Sequence, residues 1–462
     1  FDAQRGAFLK APEPSHAERL ADLRALARLL TENQRAIVAA IDADYGGRSG
    51  FETMFGEMFA SLDGLRDARK RLARWMRPRR RSVDALLYPG ARNRLIPQPL
   101  GVVGVIVPWN YPIFLSFGPL TGAVAAGNRA MVKMSENSRR LAELLSAISP
   151  KYLPEDKLAF FPDGGGRGPA FSSLPFDHLF FTGSGTTGRA VMANAARNLT
   201  PVTLELGGKS PAIVAPDFPI ATAAERIMWA KTFNGGQTCV AVDYAFLPRG
   251  TEDEFVSHCR RVFAQRYPDI NGPDFTSIID QRSYDRLAAA LDDARLKGAK
   301  LVNLAEDQTP DKSKRRFPPH IVLNVTGEMD LMRREIFGPI LPILTYGEQQ
   351  EVVDAINARD RPLALYPFTR DAATRRFLVA HTRSGGVSVN DAILHVVQHD
   401  LPFGGVGPSG MGHYHGKEGF EAFSKLRPVF EEGWISAVQT FMQPPYTRFS
   451  RRIVDLMVWM KS

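Results

Sequence analysis

The sequence predicts an α/β protein organised on a doubly wound parallel sheet, followed by a second α/β unit and a small β arm. Three observations carry this. Val102-Val103-Gly104-Val105-Ile106-Val107 is a continuous apolar run, the pattern of a strand covered on both faces. Strand-like and helix-like stretches then alternate: Arg129-Ala130-Met131-Val132-Lys133, a helix through Ala147, and His178-Leu179-Phe180-Phe181. The alternation resumes after Cys239, with a helix over 281–300, and ends near Gly386-Val387-Ser388-Val389-Asn390.

Upstream of the sheet, residues 15–41 repeat apolar side chains at helical spacing (Leu20, Leu23, Ala27, Leu30, Ile37), and a second helical block covers about 54–75. Pro78 and the run Arg77-Pro78-Arg79-Arg80-Arg81 break that pattern and read as a solvated linker. Over residues 86–99 two short strand-like pieces flank the turn pair Pro89-Gly90, which suits an arm reaching outside the domain. Residues 401–416 are too glycine-rich for a regular element, and an arginine-rich tail with an apolar stretch at 453–460 closes the chain.

At 462 residues the chain exceeds one ordinary core, so two or three packed units are expected. A composition of 44% hydrophobic and 23% charged residues is that of a globular protein. The net charge of +9 comes without aromatic interleaving or a nucleic-acid motif, so a nucleic-acid partner is not expected. No apolar segment approaches the ~18 residues that a membrane span requires. The chain opens at Phe1 rather than methionine, which leaves a preceding segment open. Cys239 and Cys259 lack metal-ligand spacing, so no metal is expected, and their scarcity fits a reducing, cytoplasmic compartment.

Four stretches point to chemistry. Phe233-Asn234-Gly235-Gly236-Gln237-Thr238-Cys239 places a thiol after paired glycines, on a turn that backbone and substrate can both approach. Cys239 is therefore a candidate nucleophile, with a small buried hydrophobe as the alternative; Cys259, in an amphipathic stretch, reads as packing. Phe181-Thr182-Gly183-Ser184-Gly185-Thr186-Thr187-Gly188 satisfies G-x-G-x-x-G and opens a helix, which would set a pyrophosphate against its amides. It falls late in the sheet, so the usual dinucleotide geometry need not apply, and a plain glycine-rich turn remains the alternative. Glu205, in Thr203-Leu204-Glu205-Leu206-Gly207-Gly208-Lys209, ends another strand 17 residues past Gly188, close to the ribose-binding spacing. The glycines after it mark a chain reversal, so a cleft carboxylate is the competing reading. Pro108-Trp109-Asn110-Tyr111-Pro112 ends the first strand abruptly.

Together with Lys133-Met134-Ser135-Glu136 and Glu335-Ile336-Phe337-Gly338-Pro339, these motifs stand in the order of the aldehyde dehydrogenase superfamily, which the sequence resembles over nearly its whole length. Leu401-Pro402-Phe403-Gly404-Gly405-Val406-Gly407 and Gln443-Pro444-Pro445-Tyr446 resemble its class 3 branch, and Asp163-Gly164-Gly165-Gly166 the bacterial members that oxidise coniferyl aldehyde. The resemblance implies a Rossmann-like NAD-binding domain (1–80 and 101–206), a catalytic domain (207–392), and an oligomerisation arm with tail (81–100 and 393–462). It makes Cys239 the nucleophile, Glu205 the general base and Asn110 an oxyanion donor. Lys133 and Glu136 match the residues that hold the adenine ribose. Gly183, Ser184, Thr187 and Gly188 match the pyrophosphate loop, and Glu335 and Phe337 the nicotinamide-ribose contacts. Two departures stand out: Met134 where the family usually has proline, which suggests a less rigid strand end, and Gly185 where threonine or serine is commoner.

The expected activity is oxidation of an aldehyde to the acid through a cysteine thioester. NAD is the preferred cofactor, because Glu136 would repel a 2′-phosphate, with some use of NADP. The aldehyde is expected to be aromatic, such as coniferyl aldehyde, or long and aliphatic, with Tyr111, Phe114, Phe233 and Phe403 either lining its tunnel or filling the core. A homodimer is expected, since an exposed hairpin needs a partner surface. Transfer of the acyl group to coenzyme A and a catalytically silent member of the fold are the alternatives.

Overall fold

In the computed structural model, which describes residues 1–85, 87–434 and 442–462, the apolar run 102–107 becomes the strand Val102–Ile106, buried at every position. Buried on both faces, it has no place at a sheet edge. It sits inside a six-stranded sheet whose order is Gly410–Met411, Val202–Leu206, His178–Gly183, Val102–Ile106, Arg129–Lys133, Leu158–Phe161. All neighbours are parallel except Gly410–Met411, which runs antiparallel along Val202–Leu206. From Val102–Ile106 the chain steps outward through Arg129–Lys133 and Leu158–Phe161, then returns to the other side at His178–Gly183. The direction of winding thus reverses between Val102–Ile106 and His178–Gly183, and in such sheets the crevice beyond the carboxyl ends of the two strands is where ligands bind.

Leu206 ends the last parallel strand of this sheet, and Gly207-Gly208 turn the chain into a second, seven-stranded one. Its order is Lys300–Asn303, His320–Leu323, Ile340–Tyr346, Tyr244–Pro248, Pro211–Val214, Ala364–Phe368, Gly386–Val387, with only the first strand antiparallel. Gly208 leaves just 3.0 Å between an imagined Cβ and the backbone nitrogen of Leu363, so a side chain there would crowd the reversal.

Of the amino-terminal helices, Asp2–Lys10 packs on the first sheet, while His16–Glu32 packs on Phe114–Ala126 and Gln34–Tyr45 on Arg139–Ile148. His16–Glu32 starts in a capping box between Ser15 and Glu18, and Gln34–Tyr45 stops at the left-handed Gly46. The block expected over about 54–75 begins earlier, with Gly50–Thr53, and passes through a turn of π-helix, Met54–Phe59, before Ala60–Trp75. One inserted residue per turn leaves no mark in apolar periodicity, so this was not legible in the sequence.

The arginine run corrects the linker expectation. Arg79–Arg81 is a strand, antiparallel to Arg92–Pro99, which in turn pairs along its length with Ser424–Glu431. On such an edge strand the alternate side chains reach solvent, where charges are tolerated. Arg79 also pairs with Glu421 at 2.9 Å and Arg94 with Glu431 at 3.3 Å. The hairpin expected at 86–99 is thus one strand of a three-stranded sheet whose first strand lies upstream; Leu86 lies outside the described residues, as do 435–441 of the tail. The apolar stretch 453–460 falls within the helix Arg448–Lys461. Among the described residues no helix is long and apolar enough to cross a membrane.

Candidate active site

The loop carrying Cys239 owes its shape to left-handed backbone. The helix Ile220–Thr232 ends, and Asn234, Gly235 and Gly236 follow with φ of 54°, 60° and 74°. A Cβ on Gly236 would stand 2.5 Å from the carbonyl oxygen of Gly338, so that position admits only glycine. Asparagine tolerates the left-handed region better than most residues, and Asn234 is further held by its amide, which donates to the carbonyls of Asn110 (3.2 Å) and Gln237 (3.1 Å). Gln237 braces the far side, donating to Asn234 O (2.9 Å) and Ser277 O (3.0 Å) and accepting from Ile279 N–H (2.9 Å). Glu52 accepts from Asn234 N–H (3.0 Å) and the Thr276 hydroxyl (2.6 Å).

This bracing leaves Cys239 half-buried with a free thiol, while Cys259 is sealed in the core as packing. Burial pushes the Cys239 thiol up to about 12, and the negative fields of Glu335 and then Glu205 push the same way; the N–H groups of Cys239 and Val240 pull it down. Asn110 is buried, and its amide nitrogen donates to Gln237 O at 3.2 Å, which ties it to the thiol loop. Its own loop is pinned from behind. The Tyr45 hydroxyl donates to Asn110 O (3.0 Å), and Glu57, in a fully buried ion pair with Arg48 (2.7 Å), accepts from Ile113 N–H (2.6 Å).

Glu205, on the strand Val202–Leu206, faces the same cleft, which it lines together with Asn110, Gly183, Ser184, Cys239, Glu335 and Phe337. Only 3% of Glu205 is exposed, and neither carboxylate oxygen has a hydrogen-bond partner among the described residues. Burial holds its pKa well above the usual carboxylate range. The placement favours the cleft carboxylate over the ribose ligand suggested by spacing alone.

Glu335 reaches the cleft from the second sheet. Lys209 pairs with Asp243 and donates to the carbonyls of Leu331 (2.7 Å) and Arg334 (3.1 Å), while Asp243 accepts from Ile336 N–H (2.9 Å), so the two fix the loop around Glu335. Burial first, then the charge of Asp243, raises the Glu335 carboxyl to about 8; Gly208 N–H, Lys209 and Arg286 oppose the rise. Phe337, at φ 50°, sets its ring edge-on to Trp109 at 5.4 Å. The bracing roles of Lys209, Asp243, Glu52 and Gln237 were not legible from the sequence, because each acts across long separations.

The glycine motif divides its labour. Ser184 caps the helix Gly185–Ala196 by accepting from Thr187 N–H (3.3 Å). Gly188 lets the helix close on the strand below, since a Cβ there would be 2.7 Å from Leu206. At Gly185 a Cβ would meet nothing nearer than 3.5 Å, so the amino end of the helix is open to an anion. Thr187, Gly188, Lys133 and Glu136 do not line the cleft with Cys239. Lys133 ends the strand next to Val102–Ile106 and pairs with Asp163 at 2.5 Å, and Glu136 is exposed on the turn Glu136–Ser138. The residues lie along the carboxyl edge of the sheet, and the open helix end and polar cleft fit a dinucleotide. Met134 does not loosen this edge: it is buried, and its N–H donates to Phe161 O at 3.0 Å, a bond proline could not make.

A second cavity meets the first at Cys239. Tyr111, Phe114, Phe233 and Phe403 all line it. So do Phe55, Phe59 and Trp229, which the sequence reading missed although Phe55 and Phe59 stand four residues apart.

A half-buried thiol thus stands between a polar cleft and an apolar cavity. The aldehyde dehydrogenase family model matches residues 2–429, and the chain belongs to that family. It is an NAD(P)-dependent aldehyde dehydrogenase. Among its relatives, a probable coniferyl aldehyde dehydrogenase of Pseudomonas aeruginosa is 49% identical over 456 residues, covering 98% of this chain and 94% of that protein. The dimeric NADP-preferring aldehyde dehydrogenase of Rattus norvegicus is 37% identical, covering 92% of each. Among solved structures, one described as the substrate-bound state of Staphylococcus aureus AldH superposes with a TM-score of 0.92 at 32% identity, covering 99% of this chain and 98% of that one.

Proposed function

We propose that this dehydrogenase oxidises aromatic aldehydes, coniferyl aldehyde among them, to carboxylic acids, with Cys239 as nucleophile, Asn110 as oxyanion donor and Glu205 as base. The observation that carries this reading is the meeting of the aromatic cavity and the polar cleft at Cys239. The name of the Pseudomonas aeruginosa relative agrees with it. An aldehyde has no leaving group, so Sγ, its proton released to solvent, adds to the carbonyl carbon and negative charge develops on oxygen. The Asn110 amide, tied to the thiol loop, and the N–H groups at Cys239 and Val240 stabilise that charge; one such donor is typically worth ~3–4 kcal/mol. The open amino end at Gly185 with Ser184 would hold a pyrophosphate, Lys133 and Glu136 the adenine ribose, and Glu335 with Phe337 the nicotinamide ribose. When bound, NAD(P) supplies the hydride acceptor. The thioester left on Sγ is hydrolysed by water whose proton passes to Glu205, a carboxylate unengaged by any hydrogen bond among the described residues. The same feature supports hydrolysis over transfer to coenzyme A.

Glu136 favours NAD over NADP, and equal kcat/KM for the two would contradict this. A homodimer is supported by the three-stranded arm and by the dimeric state named for the rat relative; sedimentation showing only a 51.1 kDa species at micromolar concentration would contradict it. A cytoplasmic location is supported by two unpaired cysteines. The substrate is tested by kcat/KM across benzaldehyde, coniferyl aldehyde and linear aldehydes. The reading expects coniferyl aldehyde to lead, and short aliphatic aldehydes winning by a wide margin would refute it.

A further inference from the structure

We infer that Phe51, Phe55 and Phe59 form an aromatic ladder at the mouth of the substrate cavity, which docks the distal ring of extended aryl aldehydes. The inference rests on the aromatic-aldehyde reading above and extends it to a region outside the cavity.

The three side chains stand four residues apart and lie 74%, 42% and 59% exposed. Single exposed apolar residues are ordinary, but a contiguous apolar row facing water marks a binding surface. Their rings are nearly parallel: Phe51 and Phe55 are 6.4 Å apart at 12°, Phe55 and Phe59 6.0 Å apart at 5°. They ride on Gly50–Thr53 and the π-turn Met54–Phe59, a type of distortion frequent at functional sites.

Continuity with the site identifies the occupant. Phe55 and Phe59 line the cavity that ends at Cys239, whereas Phe51 lies beyond it. Phe55 meets Phe233 edge-on at 6.4 Å, and Phe233 lies nearly parallel to Tyr111 at 6.3 Å. Tyr111 shares a 2.8 Å hydrogen bond with Thr238, the neighbour of Cys239. Gly56 makes the passage possible, because a Cβ there would stand 3.1 Å from the Phe233 ring. An unbroken aromatic wall therefore runs from solvent to the thiol. Its inner part holds the ring next to the aldehyde, and Phe51 is placed to contact a second ring that projects outside. The chemical class is an aldehyde joined to two linked aromatic rings, such as a 4-benzyloxy-substituted cinnamaldehyde.

The test is steady-state kinetics of wild type, Phe51→Ala and Phe51→Trp with 4-benzyloxycinnamaldehyde, cinnamaldehyde and dodecanal. An aromatic pair at such a site corresponds to roughly a two- to tenfold effect. For Phe51→Ala the inference expects KM for the two-ring aldehyde to rise by that factor, with kcat unchanged, cinnamaldehyde unaffected, and Phe51→Trp restoring wild-type KM. No change in KM for the two-ring aldehyde, or an equal change for cinnamaldehyde, would overturn the ladder while leaving the aromatic-substrate reading standing. A wild-type preference for dodecanal over both aryl aldehydes would overturn that reading and the ladder with it. Loss of a dimer on Phe51→Ala, seen by sedimentation, would assign the row to a subunit interface and also overturn the proposal.

Discussion

Glu335 lays its carboxylate across Gly207 so closely that a Cβ at position 207 would overlap its oxygens. The two residues follow and precede strands of different sheets, and both line the polar cleft. Replacing Gly207 by alanine must displace Glu335. We expect Gly207→Ala to raise the KM for NAD about tenfold, equivalent to ~1.4 kcal/mol, with a smaller effect on the KM for aldehyde. Initial-rate kinetics with each substrate varied in turn checks this.

The raised pKa of Cys239 has a direct consequence for alkylation. The reactive species is the thiolate, whose fraction grows as pH rises through the pKa. With that pKa near 12 rather than the ordinary value of about 8.5, the free enzyme should react slowly with iodoacetamide at pH 7, and its rate should still climb between pH 9 and 10. Glu335 is the foremost negative neighbour raising it, so Glu335→Gln should speed alkylation at pH 9. Cys259 is fully buried and should stay unlabelled, which peptide mapping verifies.

The buried pair of Arg48 and Glu57 anchors the loop that bears Asn110. Glu57 accepts from the N–H groups of Ile113 and Phe114, and Arg48 lies over the rings of Tyr45 and Tyr111. Removing one partner strands the other charge, so Arg48→Ala should lower stability by about 3–5 kcal/mol. Urea unfolding followed by tryptophan fluorescence measures the shift.

Asn110→Ala tests the oxyanion site separately. Loss of one preorganised donor should reduce kcat by roughly 10²–10³, with aldehyde KM changed little. An unchanged kcat would assign Asn110 to bracing the thiol loop alone.

Much of the placement of the candidate residues was legible because they sit on local motifs at strand ends. The apolar run before Pro108 placed Asn110 at the end of a central strand, and the glycines after Phe181 and Leu206 marked turns at the ends of its neighbours. The glycine motif, though late in the chain, stands where the winding reverses, because His178–Gly183 lies beside Val102–Ile106. What stayed hidden depends on contacts distant in sequence. Lys209 reaches Arg334, Glu52 reaches Asn234, and Arg79–Arg81 pairs beyond the turn at Pro89-Gly90. The aromatic row that spans Gly50–Thr53 and the π-turn Met54–Phe59 stayed hidden because apolar spacing alone does not say which face meets solvent.

The central claim is that Cys239 carries the acyl group and Glu205 releases it. Glu205→Gln keeps size and shape but cannot take a proton from water. Stopped-flow absorbance of NADH on mixing this variant with NAD and cinnamaldehyde should show a burst of one equivalent per site followed by very slow turnover, with an acyl adduct on Cys239 in the intact-protein mass spectrum. Cys239→Ala should give neither burst nor adduct. Loss of the burst in Glu205→Gln, or turnover at the wild-type rate, would contradict the account.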